Sequence, residues 1–374
     1  MIHIRCFALI LLIAGCAQCP VCPPVKLPPQ PETARYEPRG FGDLPGWSRA
    51  QLEPSLRAFV AGCARYKRVC DLAKSLPAGD EQAARKFFEA QFVPYALVSS
   101  ETGDSGLITG YYEPIIDGSR TPSAVYRFPI YAVPSDLIVV DLPETRQLRL
   151  RGRLDGRRLV PYYSRGEIEA RGDFAAPVIA WSGDPVELFF LQVQGSGQVR
   201  LENGEHVRVG YADQNGHPYR SLGRHLVERG ELVLEQASMQ GIKAWAAANP
   251  QKLQEALNQN PSYVFFRELP PTEGPIGALN IALHAERSLA VDRRFVPLGA
   301  PVYLATTYPL SEEPLERLMA AHDTGGAIRG VVRADFYWGT GAAAGEQAGR
   351  MRQQGRMWLL WPIGEPLPSA QASS

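Results

Sequence analysis

Two aspartates stand close together in one glycine-rich segment, HDTGGAIRGVVRADFYWG, which covers residues 322–339. Asp323 and Asp335 are twelve positions apart, and three glycines lie between them. A helix would not carry glycine so densely, so the segment predicts a strand, a tight turn and a second strand. Carboxyl groups on such a frame have three possible roles: an acid–base pair, one working acid with a helper, or two turn-capping side chains.

The surroundings of Asp335 favour chemistry. It lies in the strand-like run VVRADFYWG, directly before three aromatic residues. Ionising a carboxyl group among apolar neighbours is costly, so its pKa rises, which suits a general acid near neutral pH. The alternative for Asp335 is a solvent-exposed position on an edge strand. The alternative for Asp323 is a turn residue that accepts backbone N–H bonds ahead of Gly325 and Gly326, and His322 is predicted to be an ordinary loop residue.

Aromatic side chains beside glycine-rich turns are the second signal. Sugars present apolar C–H faces with a polar rim, and they stack on aromatic rings flanked by hydrogen-bonding groups. Each ring alone is more typical of a core residue than of a sugar platform, and several of them beside loops shift that balance only a little. The rings in question are Tyr111, Tyr112, Trp181, Tyr211, Tyr337 and Trp338.

The segment LQVQGSGQVRL predicts a hairpin-like turn that carries Gln192, Gln194 and Ser196. Its Gly-Ser-Gly is too common to indicate a phosphate site, and the sequence has no P-loop, no G-x-S-x-G elbow and no H-E-x-x-H motif. The six histidines are scattered along the chain. We therefore predict neither a metal nor a cofactor.

The elements that must hold these residues are mainly strands. Helical patterns cover about 49–66 and 80–91, and short β-branched or aromatic runs such as RFPIYAVP, LIVVDLP and LFFLQVQGSGQVRL indicate a small all-β unit from about 121 to 210. Two more helical stretches follow, and strand patterns return after Tyr263. One domain is thus predicted to be interrupted by another.

The composition narrows the class of protein. The chain has 374 residues, enough for two domains or one large one. Lys plus Arg and Asp plus Glu are both 39, so the formal net charge is zero. A nucleic-acid-binding surface usually needs a basic excess, so nucleic acid is not predicted as a partner.

The first residues are predicted to be a targeting signal. Arg5 precedes a short apolar run that ends in IAGC, which resembles a bacterial lipobox with Cys16 as the lipidated residue. The alternatives are an ordinary signal peptide and a buried apolar N-terminus. Residues 1–15 would then be removed, and 16–38 would form a proline-rich tether that holds Cys19 and Cys22. Ala17 after the cysteine favours the outer membrane.

Cys63 and Cys70 lie on one apparent helix. Seven residues of helix rise about 10.5 Å, which is too far for a disulfide unless the helix breaks between them. The two cysteines are therefore predicted to be plain core residues.

Several segments together resemble the lytic murein transglycosylase A family, bacterial lipoproteins that cut the glycan strands of peptidoglycan. The matching segments occur in family order and cover about residues 41–361: LPGWSRAQL, GLITGYYEP, PIYAVPSDL, IAWSGDPVELFFLQVQGSG, VGYADQNGHPYRSLGRHL, NPSYVFFREL, RSLAVDRRFVPLGAPVYL and HDTGGAIRGVVRADFYWG. The resemblance implies a mainly β fold with a few helices. A double-psi β-barrel would comprise 39–114 and 260–362, a smaller substrate-binding β domain would be inserted at 115–259, and 363–374 would be a flexible tail.

The same resemblance implies a function. Asp335 matches the family's catalytic acid and Asp323 a second aspartate in the cleft. The expected reaction cuts the bond between N-acetylmuramic acid and N-acetylglucosamine, and forms 1,6-anhydro-N-acetylmuramic acid without water. The alternatives are a two-carboxylate hydrolase and a non-catalytic wall-binding lipoprotein.

The resemblance also implies partners. The expected partners are peptidoglycan glycan strands and the outer membrane, on its periplasmic side, with complexes of cell-wall synthesis or division as candidates. The residues predicted to contact the glycan are Tyr111, Tyr112, Glu113, Gln192, Gln194, Gly195, Ser196, Gly325, Gly326, Tyr337 and Trp338.

Overall fold

The structure is a computed structural model that describes residues 32–141, 149–270 and 274–368. The predicted signal peptide, Cys16 with its lipid, Cys19, Cys22 and the end of the predicted tail lie outside the described residues.

Strands dominate the described chain. They are β1 (Ala34–Pro38), β2 (Phe92–Ser99), β3 (Gly106–Glu113), β4 (Ile115–Ser119), β5 (Phe128–Tyr131), β6 (Ile138–Asp141), β7 (Arg149–Asp155), β8 (Arg158–Pro161), β9 (Val178–Ser182), β10 (Ser196–Leu201), β11 (His206–Gln214), β12 (Val264–Leu269), β13 (Ser288–Val291), β14 (Pro301–Thr307), β15 (Pro314–Asp323), β16 (Ala334–Thr340) and β17 (Arg352–Pro362).

The helices are short. They are α1 (Glu53–Gly62), α2 (Lys67–Lys74), α3 (Glu81–Gln91), α4 (Arg165–Ala170), α5 (Pro185–Gln194), α6 (Leu222–Glu228), α7 (Met239–Ala248), α8 (Pro250–Asn258) and α9 (Ala342–Arg350). Within the described ranges, no helix has the length and apolar character that crossing a bilayer requires.

Six strands of the first sheet close into a ring. Their order is β17-β14-β15-β13-β16-β3, and β3 pairs back to β17, while β2 and β1 extend the sheet outward. The pairs β13–β15 and β16–β3 are parallel, and the other pairs in the ring are antiparallel. The predicted mainly β class is confirmed, and a ring of six strands is consistent with a double-psi β-barrel.

A second sheet interrupts the first along the chain. Its order is β12-β11-β10-β4-β9-β5, and β6, β7 and β8 form a separate three-stranded sheet. Because β12 pairs with β11, residues 264–269 belong to the second sheet. The predicted return to the barrel at residue 260 was therefore too early.

Both ends of the folded region extend further than predicted. Residues 34–38, assigned to the tether, form β1 and pair along their whole length with β2. At the other end, the indole of Trp361 donates to the carbonyls of Glu365 and Pro366, and the Ile363 amide donates to Gln91. The start of the predicted flexible tail is therefore held by hydrogen bonds.

One predicted strand is a helix. Residues 188–194, LFFLQVQ, lie in α5 rather than in the strand of a hairpin. Asp184 caps the helix by accepting the Val186 and Glu187 amides, and Pro185 occupies its first turn, where a missing N–H costs nothing. Gly195 ends it in a left-handed conformation, φ 77°. These end signals outweigh the β-propensity of the apolar run.

Cys63 and Cys70 form a disulfide, with their Cα atoms 5.3 Å apart. The prediction that they are unpaired core residues was wrong because the helix does break. α1 ends at Gly62, a 3₁₀ turn follows, and Tyr66 has non-helical backbone angles before α2 begins. The break shortens the distance that a continuous helix would impose.

Candidate active site

The two aspartates lie on either side of one strand. Ala290 of β13 is in register with Asp323 of β15 on one side and with Asp335 of β16 on the other. Neighbouring strands are about 4.8 Å apart, so backbones separated by one strand are about 10 Å apart. The two predicted strands are confirmed, but the predicted tight turn is not, because residues 324–333 connect the strands. The strands do not form a hairpin, because β13 lies between them.

Asp335 is held by a neighbouring strand. Thr109 of β3 is in register with it, and the Thr109 hydroxyl donates to Asp335 Oδ1 at 2.6 Å. Burial raises the pKa of Asp335, and both the Thr109 hydrogen bond and the charge of Arg333 oppose that rise. Asp335 is thus a partly buried carboxyl group whose protonated form is favoured, as a general acid requires.

Asp323 has a different set of partners. Its Oδ1 accepts the backbone amides of Ala278 and Thr324, both at 2.9 Å. Burial raises the pKa of Asp323 to about 6, and the nearby charge of Asp335 adds to the rise. The Thr324 contact is a local bond, so Asp323 does cap its turn, as the alternative predicted. Asp323 also lies close enough to Asp335 for the two carboxyl groups to affect each other.

Tyr111 connects the two carboxyl groups to the aromatic residues. Its ring lies 5.2 Å from that of Tyr337, centroid to centroid. Its buried hydroxyl is near enough to Asp323 to lower the pKa of that carboxyl, yet it has no partner within hydrogen-bonding geometry among the described residues. After a small movement, the Tyr111 hydroxyl could donate to Asp323.

His322 is a buried strand residue, so the prediction of an ordinary loop position was wrong. It lies in β15 with no exposed surface, and its Nδ1 is 2.9 Å from the Ser288 hydroxyl. Burial lowers the pKa of His322 to about 4, which keeps the ring neutral near pH 7. Because neighbouring residues of a strand face opposite ways, His322 points away from the face that carries Asp323.

Five of the residues predicted to contact the glycan are buried, and these predictions need correction. Each is less than 9% exposed, and its polar atoms bond to protein groups, so it offers little surface to a ligand. The hydroxyl of Tyr112 lies 3.1 Å from Met239 Sδ, and the indole of Trp338 lies 3.3 Å from Met351 Sδ. The five residues are Tyr112, Glu113, Gln192, Tyr337 and Trp338.

Gln192 shows why a residue predicted to contact the glycan is buried instead. It lies on the inward face of α5, where its side-chain oxygen accepts a hydrogen bond from the buried guanidinium of Arg165. Arg165 also donates to the carbonyls of Asn260 and Ser262. A hairpin would have left Gln192 near the surface, whereas the helix turns it into the core of the inserted region.

The remaining predicted contacts have accessible surface. Gln194 accepts the Tyr112 amide at 3.3 Å, which brings the end of α5 against β3. Gly195 and Ser196 follow it, and Tyr211, 43% exposed, lies beside Gly195. Gly325 and Gly326 lie in the loop after Asp323, with Gly326 exposed. Contact of these residues with a glycan stays a prediction.

Sequence reasoning missed two residues that act directly on Asp335. Thr109 lies in the quoted segment GLITGYYEP but was not singled out, although it alternates with Tyr111 and so shares a face of β3 with that ring. Arg333 stands two positions before Asp335 on the approach to β16, and donates to the carbonyls of Leu107 and Ala334. Alternation of polar residues along the strand was the signal that could have found both.

The arrangement is able to perform proton transfer. It combines two carboxyl groups with raised pKa values, a hydroxyl donor on one and backbone donors on the other. In the part of the chain that the structure describes, no group of three or more His, Cys, Asp or Glu side chains could hold a metal ion.

Comparison with known proteins decides the family. Residues 107–267 match the family described as "MltA specific insert domain", and residues 287–361 match the "3D domain". The crystal structure of MltA from Neisseria gonorrhoeae, monoclinic form, is 40% identical with a TM-score of 0.81. That comparison covers 90% of this chain and 95% of the other.

The chain belongs to the MltA family. The insert match contains the strands of the second sheet except for the last two residues of β12, together with most of β3. The 3D match contains β13 to β17 except for the last residue of β17. The predicted resemblance is thereby confirmed.

A curated sequence and a crystal structure from Escherichia coli add detail. The curated protein "Membrane-bound lytic murein transglycosylase A" of strain K12 is 36% identical over 262 residues, which are 67% of this chain and 64% of that protein. The chain therefore spans slightly less than two thirds of this curated relative. A crystal structure of E. coli MltA with bound chitohexaose is 27% identical with a TM-score of 0.65, over 89% of this chain and 95% of that one.

Proposed function

We propose that this protein is a lytic transglycosylase that cuts peptidoglycan glycan strands between N-acetylmuramic acid and N-acetylglucosamine. The observation that carries the proposal is the pairing of Asp335, whose protonated form is favoured by burial, with a second carboxyl group across one strand. Membership of the MltA family supports it, and so does the printed name of the E. coli relative.

Asp335 is the acid in the proposed mechanism. Its carboxyl proton passes to the glycosidic oxygen, and the bond from that oxygen to C1 of the muramic residue breaks. The C6 hydroxyl of the same residue then bonds to C1 and gives its proton to the Asp335 carboxylate, which restores the acid. Atoms balance without water, and the product ends in a 1,6-anhydro ring. Because the attack is intramolecular, binding has already met much of its entropic cost.

Asp323 has a supporting role in this proposal. The charge of Asp335 raises the pKa of Asp323. Because repulsion between carboxylates is mutual, an ionised Asp323 would favour the protonated form of Asp335 in return. Backbone bonds to Ala278 and Thr324 hold Asp323 in place. A conventional glycosidase would instead need the second carboxylate as nucleophile or as base for water. That hydrolase is the second candidate, and the spacing of the two strands is the observation in its favour.

The glycan is proposed to lie across the exposed ends of β3, α5 and the loop after β15. The residues there with accessible polar or aromatic surface are Tyr111, Gln194, Ser196, Tyr211 and Gly326. Chitohexaose bound in a crystal of the E. coli relative supports a sugar-binding cleft in a protein of this fold.

The test of the proposed function is the product formed in ¹⁸O-labelled water. We expect muropeptides that end in 1,6-anhydro-N-acetylmuramic acid, with no ¹⁸O at the new terminus, because the attacking oxygen comes from the sugar. The measurement is mass spectrometry of digested peptidoglycan, with a known hydrolase as the control. Label at the new reducing end would replace the transglycosylase with the hydrolase and make Asp323 its water-activating base.

Lipid anchoring at Cys16 is proposed for the location. The lipobox-like IAGC motivates it, the name "membrane-bound" of the relative supports it, and the Cys63–Cys70 disulfide fits an oxidising compartment such as the periplasm. The outer membrane is the proposed site, with the protein facing the periplasm.

Replacing Cys16 is expected to release the protein. Cys16→Ser removes the acceptor for the lipid, so the variant should move from the membrane fraction to the soluble fraction at unchanged activity on soluble glycan. Stable attachment requires more than one acyl chain, so the effect on partitioning should be large. Fractionation followed by immunoblotting measures it, with Cys19→Ser as the matched control. A Cys16→Ser variant that still sediments with membranes would exclude this anchor.

A further inference from the structure

One face of β3 carries three polar side chains at alternate positions. Thr109 donates to Asp335, and Tyr111 lies beside Asp323. Glu113, the last residue of the strand, is next on the same face. The strand that supports both aspartates of the candidate site therefore ends in a carboxylate of its own.

The Glu113 carboxylate joins the two sheets. It is 1% exposed, and Oε2 accepts the Gln198 amide at 2.9 Å and the Thr340 hydroxyl at 2.8 Å. Its Oε1 lies 3.1 Å from Arg208 Nη1, and the Arg208 side chain is 12% exposed. Gln198 and Arg208 face each other across β10 and β11 of the second sheet, whereas Thr340 ends β16 of the first.

The contacts continue from Glu113 toward the aspartates. The Thr340 hydroxyl lies 3.4 Å from the Tyr337 hydroxyl, and the Tyr337 ring packs against Tyr111. A second connection runs directly along β3 to Thr109. Both routes lead from one ion pair at the junction of the sheets to the groups that contact Asp323 and Asp335.

We propose that Glu113 is a positioning residue, paired with Arg208, which fixes the second sheet to β3 and so sets the alignment of a sheet-bound glycan with Asp335. The inference rests on the proposed function and replaces the predicted contact of Glu113 with the glycan. Glu113 touches no reacting atom; it acts through Thr340, Tyr337 and the backbone of β3.

Because the Glu113–Arg208 pair is buried, we expect it to fix the relative position of the two sheets rather than to add much net stability. A buried ion pair is costly to desolvate, so it contributes little net stability unless its hydrogen bonds are complete. Here the carboxylate bonds to three side chains, and Arg208 also donates to the Gly274 carbonyl. Such a network permits one geometry, and misplacement by about 1 Å at a reacting centre lowers the rate by as much as about 10²-fold.

The experiment compares kcat and KM for Glu113→Gln on solubilised glycan. Glutamine keeps the shape but loses the charge, so we expect kcat per folded molecule to fall about tenfold with KM changed less than about threefold. Arg208→Gln should have a similar effect. The kcat of the double variant should be no lower than that of the less active single variant, because the two residues act as a unit.

Controls separate positioning from stability. Glu268→Gln breaks the exposed Arg120–Glu268 pair of the same sheet and should leave kcat within about twofold. Thr340→Val cuts the link to Tyr337 while it keeps the ion pair, so it decides the question if Glu113→Gln does not fold; we expect a loss of about threefold in kcat.

Two results would overturn the proposal. One is a folded Glu113→Gln variant, or a folded Thr340→Val variant, with wild-type kcat. The other is a loss that follows only the folded fraction measured by circular dichroism. Total bond cleavage is measured, so the outcome does not depend on whether the product is anhydro or hydrolysed. Failure of the transglycosylase proposal and failure of this one are thus distinguishable.

Discussion

Asp335→Asn is expected to lower kcat by about 10²- to 10⁴-fold, the usual contribution of a general acid–base residue. The amide has nearly the same shape but neither gives nor takes the proton. Glycan binding should change little, because the exchange leaves the surrounding surface intact. The measurement is release of muropeptides from purified peptidoglycan at enzyme concentrations high enough to detect a loss of 10⁴.

The variant should also remain folded. Burial raises the pKa of Asp335, so above its ordinary range the folded state bears a cost for the ionised carboxylate that the unfolded state does not. Asparagine removes that cost, so the melting temperature at neutral pH should be equal to or higher than that of the wild type. An inactive variant with a lower melting temperature would indicate misfolding instead.

Thr109→Val is the matched control for Asp335. In the wild type, the Thr109 hydroxyl donates to Oδ1 and thereby lowers the pKa of Asp335. The substitution removes this hydroxyl but leaves the carboxyl group of Asp335 in place. Activity should persist, with the alkaline limb of the pH–rate profile moved to higher pH because the acid stays protonated longer. If Asp335→Asn retains more than about a third of wild-type activity, Asp335 is not the acid.

Asp323→Asn is expected to reduce kcat less, by about tenfold, and to move the pH profile in the opposite direction. Burial raises the pKa of Asp323 to about 6, so above that pH the group is ionised. The Asp335 charge contributes to that rise, and repulsion between two carboxylates is mutual, so we propose that the Asp323 charge in turn keeps Asp335 protonated to higher pH. Without that charge, the alkaline limb should shift to lower pH in measurements of kcat/KM between pH 4 and 9.

The same variant should be more stable at neutral pH. When the pKa of a carboxyl group rises on folding, the folded protein loses stability as the pH rises from the ordinary pKa, 3.8, to the pKa in the folded state, about 6. Asparagine avoids this loss and still accepts the Ala278 and Thr324 amides through its oxygen. We expect Asp323→Asn to unfold at higher denaturant concentration at pH 7.5, by about 1 to 3 kcal/mol, and to equal the wild type near pH 3.5.

The opposite results have definite meanings. Equal losses for the Asp323 and Asp335 variants with unchanged pH profiles would indicate two direct catalytic roles, as in a hydrolase. A stability difference that does not depend on pH would mean that Asp323 is already ionised without cost in the folded state.

Long, regular patterns were readable from the chain. The strands β14 and β17 follow from β-branched and aromatic runs bounded by glycine or proline, and the helices near 53–62 and 81–91 follow from 3.6-residue spacing, which are local properties. The acidic segment was found in the same way, because glycine density and apolar neighbours mark Asp323 and Asp335 in the sequence itself.

Where local signals conflicted, the chain alone misled. The run LFFLQVQ has the composition of a strand, but a capped N-terminus and a left-handed glycine make it α5. Cys63 and Cys70 looked too distant on one helix, and only the break at Tyr66 brings them together. In both cases a backbone conformation at one or two residues outweighed the propensity of many.

The candidate site itself needed the tertiary structure. Residue types and spacing singled out Asp323 and Asp335 as candidates but left an edge-strand role and a turn-capping role open, and only the family resemblance implied that Asp335 is the acid. Insertion of β13 between their strands, the Thr109 bond and the ion pair of Glu113 with Arg208 join residues between 33 and 226 positions apart. Such contacts depend on strand order and register, which no local pattern encodes, because a shift of one residue would turn each of these side chains to the other face.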